Sequence, residues 1–193
     1  MPSRRTEVQL LRKTLLSAMA TLSLDGCSTN HDRELVYACV AYGRRNSELW
    51  HADWENLQDG APWKLPVFAP KNGKSGVSWV IPFGDEEISL KGFRPPEWDE
   101  VQSVFSIQED PIKAARITAL ARDLGNLIID RLGCEATDMR HRWGSVGLTS
   151  SKCNADPMTL AKAMCTSYQM FESTYTREIR VYQMGDNFNP MAG

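Results

Sequence analysis

Apolar residues recur at spacings of three and four over residues 5–22, where Val8, Leu11, Leu15, Met19 and Leu22 fall on one side of a predicted helix. Asp25-Gly26 breaks that pattern. The same period returns over 31–46, with Leu35, Cys39 and Tyr42 on one face and Val36 and Val40 beside it. A second helix is therefore predicted there, weakened at its end by Gly43. Residues 59–96 change character: they hold six of the ten prolines, with glycines between them, and cannot form a long helix. Within this stretch VSWVIPF and EISLK read as two strands joined by a short turn at Gly84-Asp85. Pro82 donates no ladder hydrogen bond, which places its strand at an edge or a bulge.

The helical period then resumes. A short helix over 96–106 is predicted to start at Pro95-Pro96. EDPIKAAR and ADPMTLAK each set an Asp at the N-cap and a Pro at the first helical position. The Asp carboxylates accept from free backbone N–H groups, and a proline fits where no N–H is needed. The first start predicts a helix over 111–132 with Ile117, Leu120, Leu124, Leu127 and Ile128 inward, closed by Gly133. The second predicts one over 157–183 with Leu160, Met164, Tyr168, Phe171 and Tyr175 inward, closed near Gly185. The expected fold class is α+β, mainly α: a helical bundle in a single domain, 1–193, with a β-rich, proline-rich insertion (59–96) between the second and third helices. The chain beyond the two Asp-Pro starts diverges, so they are shared punctuation and not a repeat.

Composition narrows the class. The chain is 42% hydrophobic and 24% charged, as ordinary globular proteins are. Net charge is −2, which gives no overall pull towards nucleic acid. The charge is segregated, however: residues 1–46 carry +3, 47–110 carry −7 and 111–193 carry +2. Such an acidic middle between basic ends suits contact with itself or with a complementary partner. The five cysteines form no CxxC pair, and Cys39 and Cys165 lie within apolar helical patterns, so a disulfide framework is not expected. The first residues hold no apolar run typical of a signal peptide, and no stretch approaches a membrane span, so synthesis in a reducing cytoplasm is expected.

Polar and aromatic residues gather at several places that could carry chemistry. In SELWHADWENL (47–57), His51 and Asp53 lie two apart, a spacing that does not share a helix face. Trp50 and Trp54, four apart, point to one side of a helical turn and read as packing anchors with the neighbouring acids on the wet side. His31, His51 and His141, the only histidines, are scattered and show no metal-ligand spacing. KNGKSG (71–76) lacks the glycine a phosphate loop needs five residues before the glycine-lysine step, and a strand pattern follows it instead of a helix, so a turn is predicted. RHRWGS (140–145) is expected to be a loop in which Arg140, Arg142 and Lys152 surround Trp143, suited to an acidic protein surface or a phosphate backbone. A Cys153/His141 thiolate pair, or His51/Asp53, would carry the alternative reading of a small enzyme.

No catalytic or metal-binding set and no cofactor is assigned from these residues. The expected contact residues are Trp50, Trp54, Trp63, Trp79, Arg140, Arg142 and Trp143, because aromatics and arginine are enriched at interface cores. FRPPEWDEV (93–101) and the helices after it are similar to the Pro-Glu-aromatic step of the head-to-tail adaptor proteins of short-tailed phages, and the element order resembles theirs. That resemblance implies a ring of subunits between portal and tail nozzle, with copies of the chain and neighbouring assembly proteins as partners, and a place in the virion or, before assembly, the cytoplasm. A viral coat or nucleic-acid-associated protein is the alternative; nucleic acid is possible but not favoured, and no membrane partner is expected.

Overall fold

The computed structural model describes Leu24 and residues 29–57, 64–70, 73–81, 88–101, 110–149 and 155–176. The predicted helix over 5–22, the turn at Gly84-Asp85, Pro82, Trp63, Lys152 and Cys153 lie outside the described residues. The fold is mainly helical with a small two-strand antiparallel sheet, as the apolar periods predict.

Helix α1, Asn30–Ala41, starts where the Thr29 side chain accepts from the Asp32 N–H at 3.0 Å. Every residue from Leu35 to Ala41 is buried, so the C-terminal part of this helix is wrapped on all sides. It ends earlier than the predicted 46. Gly43 takes φ +61°, Gly43 N–H donates to Val40 O and Arg44 N–H to Cys39 O. This paired closure is a Schellman cap with glycine at its left-handed position.

A 3₁₀ turn, Asn46–His51, follows. Strands β1, Lys64–Ala69, and β2, Lys74–Trp79, then pair antiparallel with Lys64 opposite Trp79 and Ala69 opposite Lys74. This corrects the predicted hairpin. The described part of VSWVI pairs with the upstream KLPVFA, while residues 88–90 form no strand. Gly73, at φ +64°, lies in the turn between β1 and β2, the turn predicted at KNGKSG. Strand β1 contains Pro66. Its carbonyl accepts from Asp53 N–H at 2.9 Å, so its missing N–H faces away from the β1–β2 ladder and no bond between the strands is lost.

Helix α2, Trp98–Val101, is the described part of the predicted 96–106 helix. Helix α3, Pro111–Leu132, matches expectation at both ends. Asp110 accepts from Ile112 and Lys113 N–H, and Gly133 at φ +68° closes it. Ile117, Leu120, Leu124 and Ile128 face inward as predicted, with Leu127 partly buried.

Helix α4, Ala136–Thr149, corrects the predicted RHRWGS loop. Its glycines are contact points, not breakers. A Cβ on Gly144 would lie 2.8 Å from the Tyr175 ring, and one on Gly147 would lie 2.7 Å from Leu160. Close helix approach therefore selects residues that, read alone, signal a loop.

The predicted helix over 157–183 is also corrected. Helix α5 covers Pro157–Ala163, the chain breaks at Met164–Ser167, helix α6 covers Tyr168–Phe171, and a π-helical turn spans Glu172–Thr176. Leu160, Met164, Phe171 and Tyr175 are buried as expected, but Tyr168 is exposed.

Two apolar cores result. One joins α1, α3, β1 and Trp50, Trp54 and Trp98; the other gathers Ile81, Trp143, Leu160, Met164, Phe171 and Tyr175. Truncating one of these tryptophans to alanine costs roughly 3–5 kcal/mol.

Candidate functional site

The densest polar chemistry in the described structure is buried, and it is built on Glu48. The 3₁₀ turn places Glu48 one turn beyond Arg44, at 2% side-chain exposure. Its Oε2 accepts from Arg45 N–H at 3.1 Å and from Arg140 Nη1 at 3.1 Å, and lies 3.6 Å from Arg44 Nη1. Its Oε1 accepts from the Arg45 side chain. Burial pushes the Glu48 carboxyl upward, but Arg44, Arg140 and Arg45 outweigh it and hold the group below its usual range. The Arg140 guanidinium is pulled down to about 10, mainly by burial.

The arginines do more than pair with the carboxylate. Arg44 Nη2 donates to Ala163 O at 2.7 Å, Arg140 Nη1 to Gly43 O at 2.9 Å and Arg140 Nη2 to Met164 O. These carbonyls lie at the ends of α1 and α5, where helices present unsatisfied acceptors and partial negative charge. Two buried cations and one buried anion are thus balanced by helix ends. Cys39 is sealed beside them, its thiol donating to Arg44 O at 3.5 Å and pushed up to about 12, first by burial and then by Glu48. Such a thiol is no nucleophile near neutral pH.

This arrangement clamps backbone and does not present a reactive group. Both Glu48 oxygens already accept from arginine donors, so the carboxylate is poorly placed to take a proton from a substrate. Glu48 is also a correction: the acids beside the tryptophans are expected on the wet side, yet Glu48 is buried. Its signal in the sequence was the Arg44–Glu48 spacing of four.

The other predicted contact residues mostly turn inward. Trp50 Nε1 donates to Pro96 O at 2.8 Å, and Trp54 Nε1 to Leu49 O at 2.8 Å. Trp54 stands edge-on to Phe93 at 4.9 Å and to Tyr42 at 6.1 Å. Trp143 is wholly buried, donates to Ala41 O at 3.0 Å and packs at 5.4 Å on half-buried Trp79. Arg140 and Arg142 are 6% and 8% exposed. The chain itself covers Trp50, Trp54, Trp143, Arg140 and Arg142; for the last three, helical packing of α4 turns the predicted loop into core. Arg140 and Arg142 are accordingly not a phosphate-facing surface.

His51 and Asp53 do not converge. His51 is 3% exposed, its ring lies 6.4 Å from Phe68, and its Nδ1 has no hydrogen-bond partner among the described residues. Burial lowers its pKa to about 4, against a smaller opposing pull from Glu48. Asp53 instead accepts from the backbone and side-chain N–H groups of Asn56. His141 stacks obliquely on Tyr175 at 5.3 Å. Among the described residues no group of three or more His, Cys, Asp or Glu side chains is placed to hold a metal, and no helix is long and apolar enough to cross a membrane.

Comparison with known proteins returns no match: no family model, no curated protein and no solved structure aligns significantly with this chain. The functional reading therefore rests on the chain's own geometry.

Proposed function

We propose that this chain is a non-enzymatic structural subunit that works by contact with other protein surfaces, and in its finer form a ring-forming head-to-tail adaptor of a virion. The observation that carries this reading is the outward placement of large apolar side chains on the C-terminal helices. Met158, Tyr168 and Met170 are 52%, 41% and 59% exposed, and Val77 on the neighbouring strand β2 is 47% exposed. Methionine and tyrosine are favoured at interface cores, where they offer area with adaptable shape. Behind them, helices α1, α3 and α4 contact one another and form the bundle we read as the subunit's body. The arginine clamp ties the end of α1 to the end of α5, next to these side chains.

Size-exclusion chromatography with light scattering tests the reading. An assembly larger than one chain is expected, and Met170→Glu with Tyr168→Glu should dissociate it into chains that keep the wild-type circular dichroism spectrum. A strictly monomeric chain at high concentration, with or without the substitutions, would overturn the self-assembly on which the adaptor reading depends.

A further inference from the structure

The sequence marks the break between α5 and α6 only weakly, by a cap residue at Ser167. From Met158 to Thr176 there is neither glycine nor proline. The apolar stripe of Leu160, Met164, Tyr168, Phe171 and Tyr175 runs straight across it at helical spacing. Cys165 nevertheless adopts φ +50°, a region that a side chain with a Cβ disfavours. Thr166 N–H donates to Ala161 O and Cys165 N–H to Lys162 O, the same closure that glycine makes at the end of α1.

What holds the break open is side-chain chemistry from elsewhere. A continuous α-helix would use Ala163 O as the acceptor for Ser167 N–H, and Met164 O for Tyr168 N–H. In the structure Arg44 donates to the first of these carbonyls and Arg140 to the second. Ser167 then caps the new start by accepting from Met170 N–H at 3.2 Å. Tyr168, which belongs to the inward stripe by spacing, is left exposed.

We propose that residues 157–176 form a two-state element: broken, with the arginine pair latched on the carbonyls of 163 and 164, or a continuous helix in which those carbonyls accept from Ser167 and Tyr168. In the continuous state Pro157 to Phe171 make one rod of roughly 22 Å, and Tyr168 turns back into line with Leu160, Met164 and Phe171. The element thus exchanges one apolar face for another without any change in sequence. This inference does not depend on the assembly reading, because both states are defined within one chain.

Two substitutions push the balance in opposite directions. Ser167→Ala removes a cap that only the broken state uses and favours the helix interior, which shifts the ratio about fivefold towards the continuous form. Cys165→Gly relieves the left-handed backbone and disfavours the helix interior, which shifts it about tenfold the other way. The measurement is ¹³Cα exchange-saturation transfer NMR on the full chain, read at Thr166 and Ser167 in the wild type and Cys165→Gly, and at Thr166 in Ser167→Ala. We expect a minor state with helical ¹³Cα shifts in the wild type, more populated in Ser167→Ala and lost in Cys165→Gly. No minor state in either the wild type or Ser167→Ala, a minor state with non-helical shifts, or the two variants moving its population the same way, would overturn the proposal. Ser167 is exposed, so its substitution tests the idea even if Cys165→Gly folds poorly.

Discussion

Helices α1 and α5 end in the same hydrogen-bond pattern, but one ends on glycine and the other on cysteine. Gly43 has φ +61° and Cys165 φ +50°. At Gly43 the choice is forced twice, because an added Cβ would also lie 2.5 Å from the Trp143 ring. At Cys165 the side chain is accommodated, buried among apolar neighbours with its sulfur 4.0 Å from Arg44 Nη1. One guanidinium serves both ends: Arg140 donates to Gly43 O and to Met164 O. The difference teaches that a left-handed helix end can be set locally, by a residue that prefers it, or remotely, by donors that hold the carbonyls of a residue that does not.

Removing the shared donor has the largest expected effect. Arg140→Met leaves the end of α1 without its guanidinium, leaves the end of α5 with Arg44 alone, and strips Glu48 of one of its two buried cation partners. Breaking a buried pair on one side typically costs about 3–5 kcal/mol. Urea denaturation should show a loss of that size. Arg44→Met, which also takes a cation from Glu48 but removes a helix-end donor from α5 alone, should loosen residues 163–168 while leaving exchange at the end of α1 slower than in Arg140→Met. Equal loosening of both ends by Arg44→Met would show that the ends are not separately held.

Gly43→Ala tests the locally set end. The strained φ and the collision with Trp143 together predict a loss of about 2–4 kcal/mol, read from the shift in urea midpoint. A smaller loss, under about 1 kcal/mol, would mean that the Trp143 ring moves aside easily and that the two ends differ less than their geometry indicates.

Acid separates the two titratable groups on the turn between these ends. His51 is neutral in the fold with a pKa lowered to about 4, against an ordinary 6.5. Its proton is therefore bound more readily by the unfolded chain. Stability is full above about pH 6.5 and falls as pH drops towards 4, by up to about 3 kcal/mol in total. Glu48 has the same sign in a lower window: its folded pKa lies below the ordinary carboxylate value, so its contribution is present above that value and fades at lower pH. His51→Phe should flatten the stability profile between pH 6.5 and 4 and leave the steeper acid limb. An unchanged profile in that variant would remove His51 from the account.

The same contrast explains what could be read along the chain. Helix α3 was legible from end to end because Asp110, Pro111 and Gly133 fix its limits by local chemistry. Helix α4 was not, since Gly144 and Gly147 answer to Tyr175 and Leu160, residues distant in sequence. The break after α5 was barely legible because its causes, Arg44 and Arg140, lie 119 and 24 positions from the carbonyls they hold. The Glu48 clamp was half legible: the pair with Arg44 lies within one turn, whereas Arg140 arrives from 92 residues away. Strand β1 carries Pro66, and the side to which that residue bonds is set by Asp53, which lies outside the strand.

The smallest predicted effect is the sharpest test of the remotely held end. Cys165→Ala and Cys165→Gly both delete the buried sulfur and lose similar packing, roughly 1 kcal/mol. They differ in backbone preference and in the one buried methyl that alanine keeps. Within a helix, alanine is more stable than glycine by about 1 kcal/mol. At a left-handed end the order reverses, because alanine keeps a Cβ that disfavours positive φ and glycine does not. Cys165→Gly should therefore be more stable than Cys165→Ala by about 1 kcal/mol in urea melts, close to the wild type. Alanine proving the more stable of the two would mean that residue 165 sits in helical conformation in solution. The guanidinium bonds to Ala163 and Met164 would then not be what sets this end of the helix.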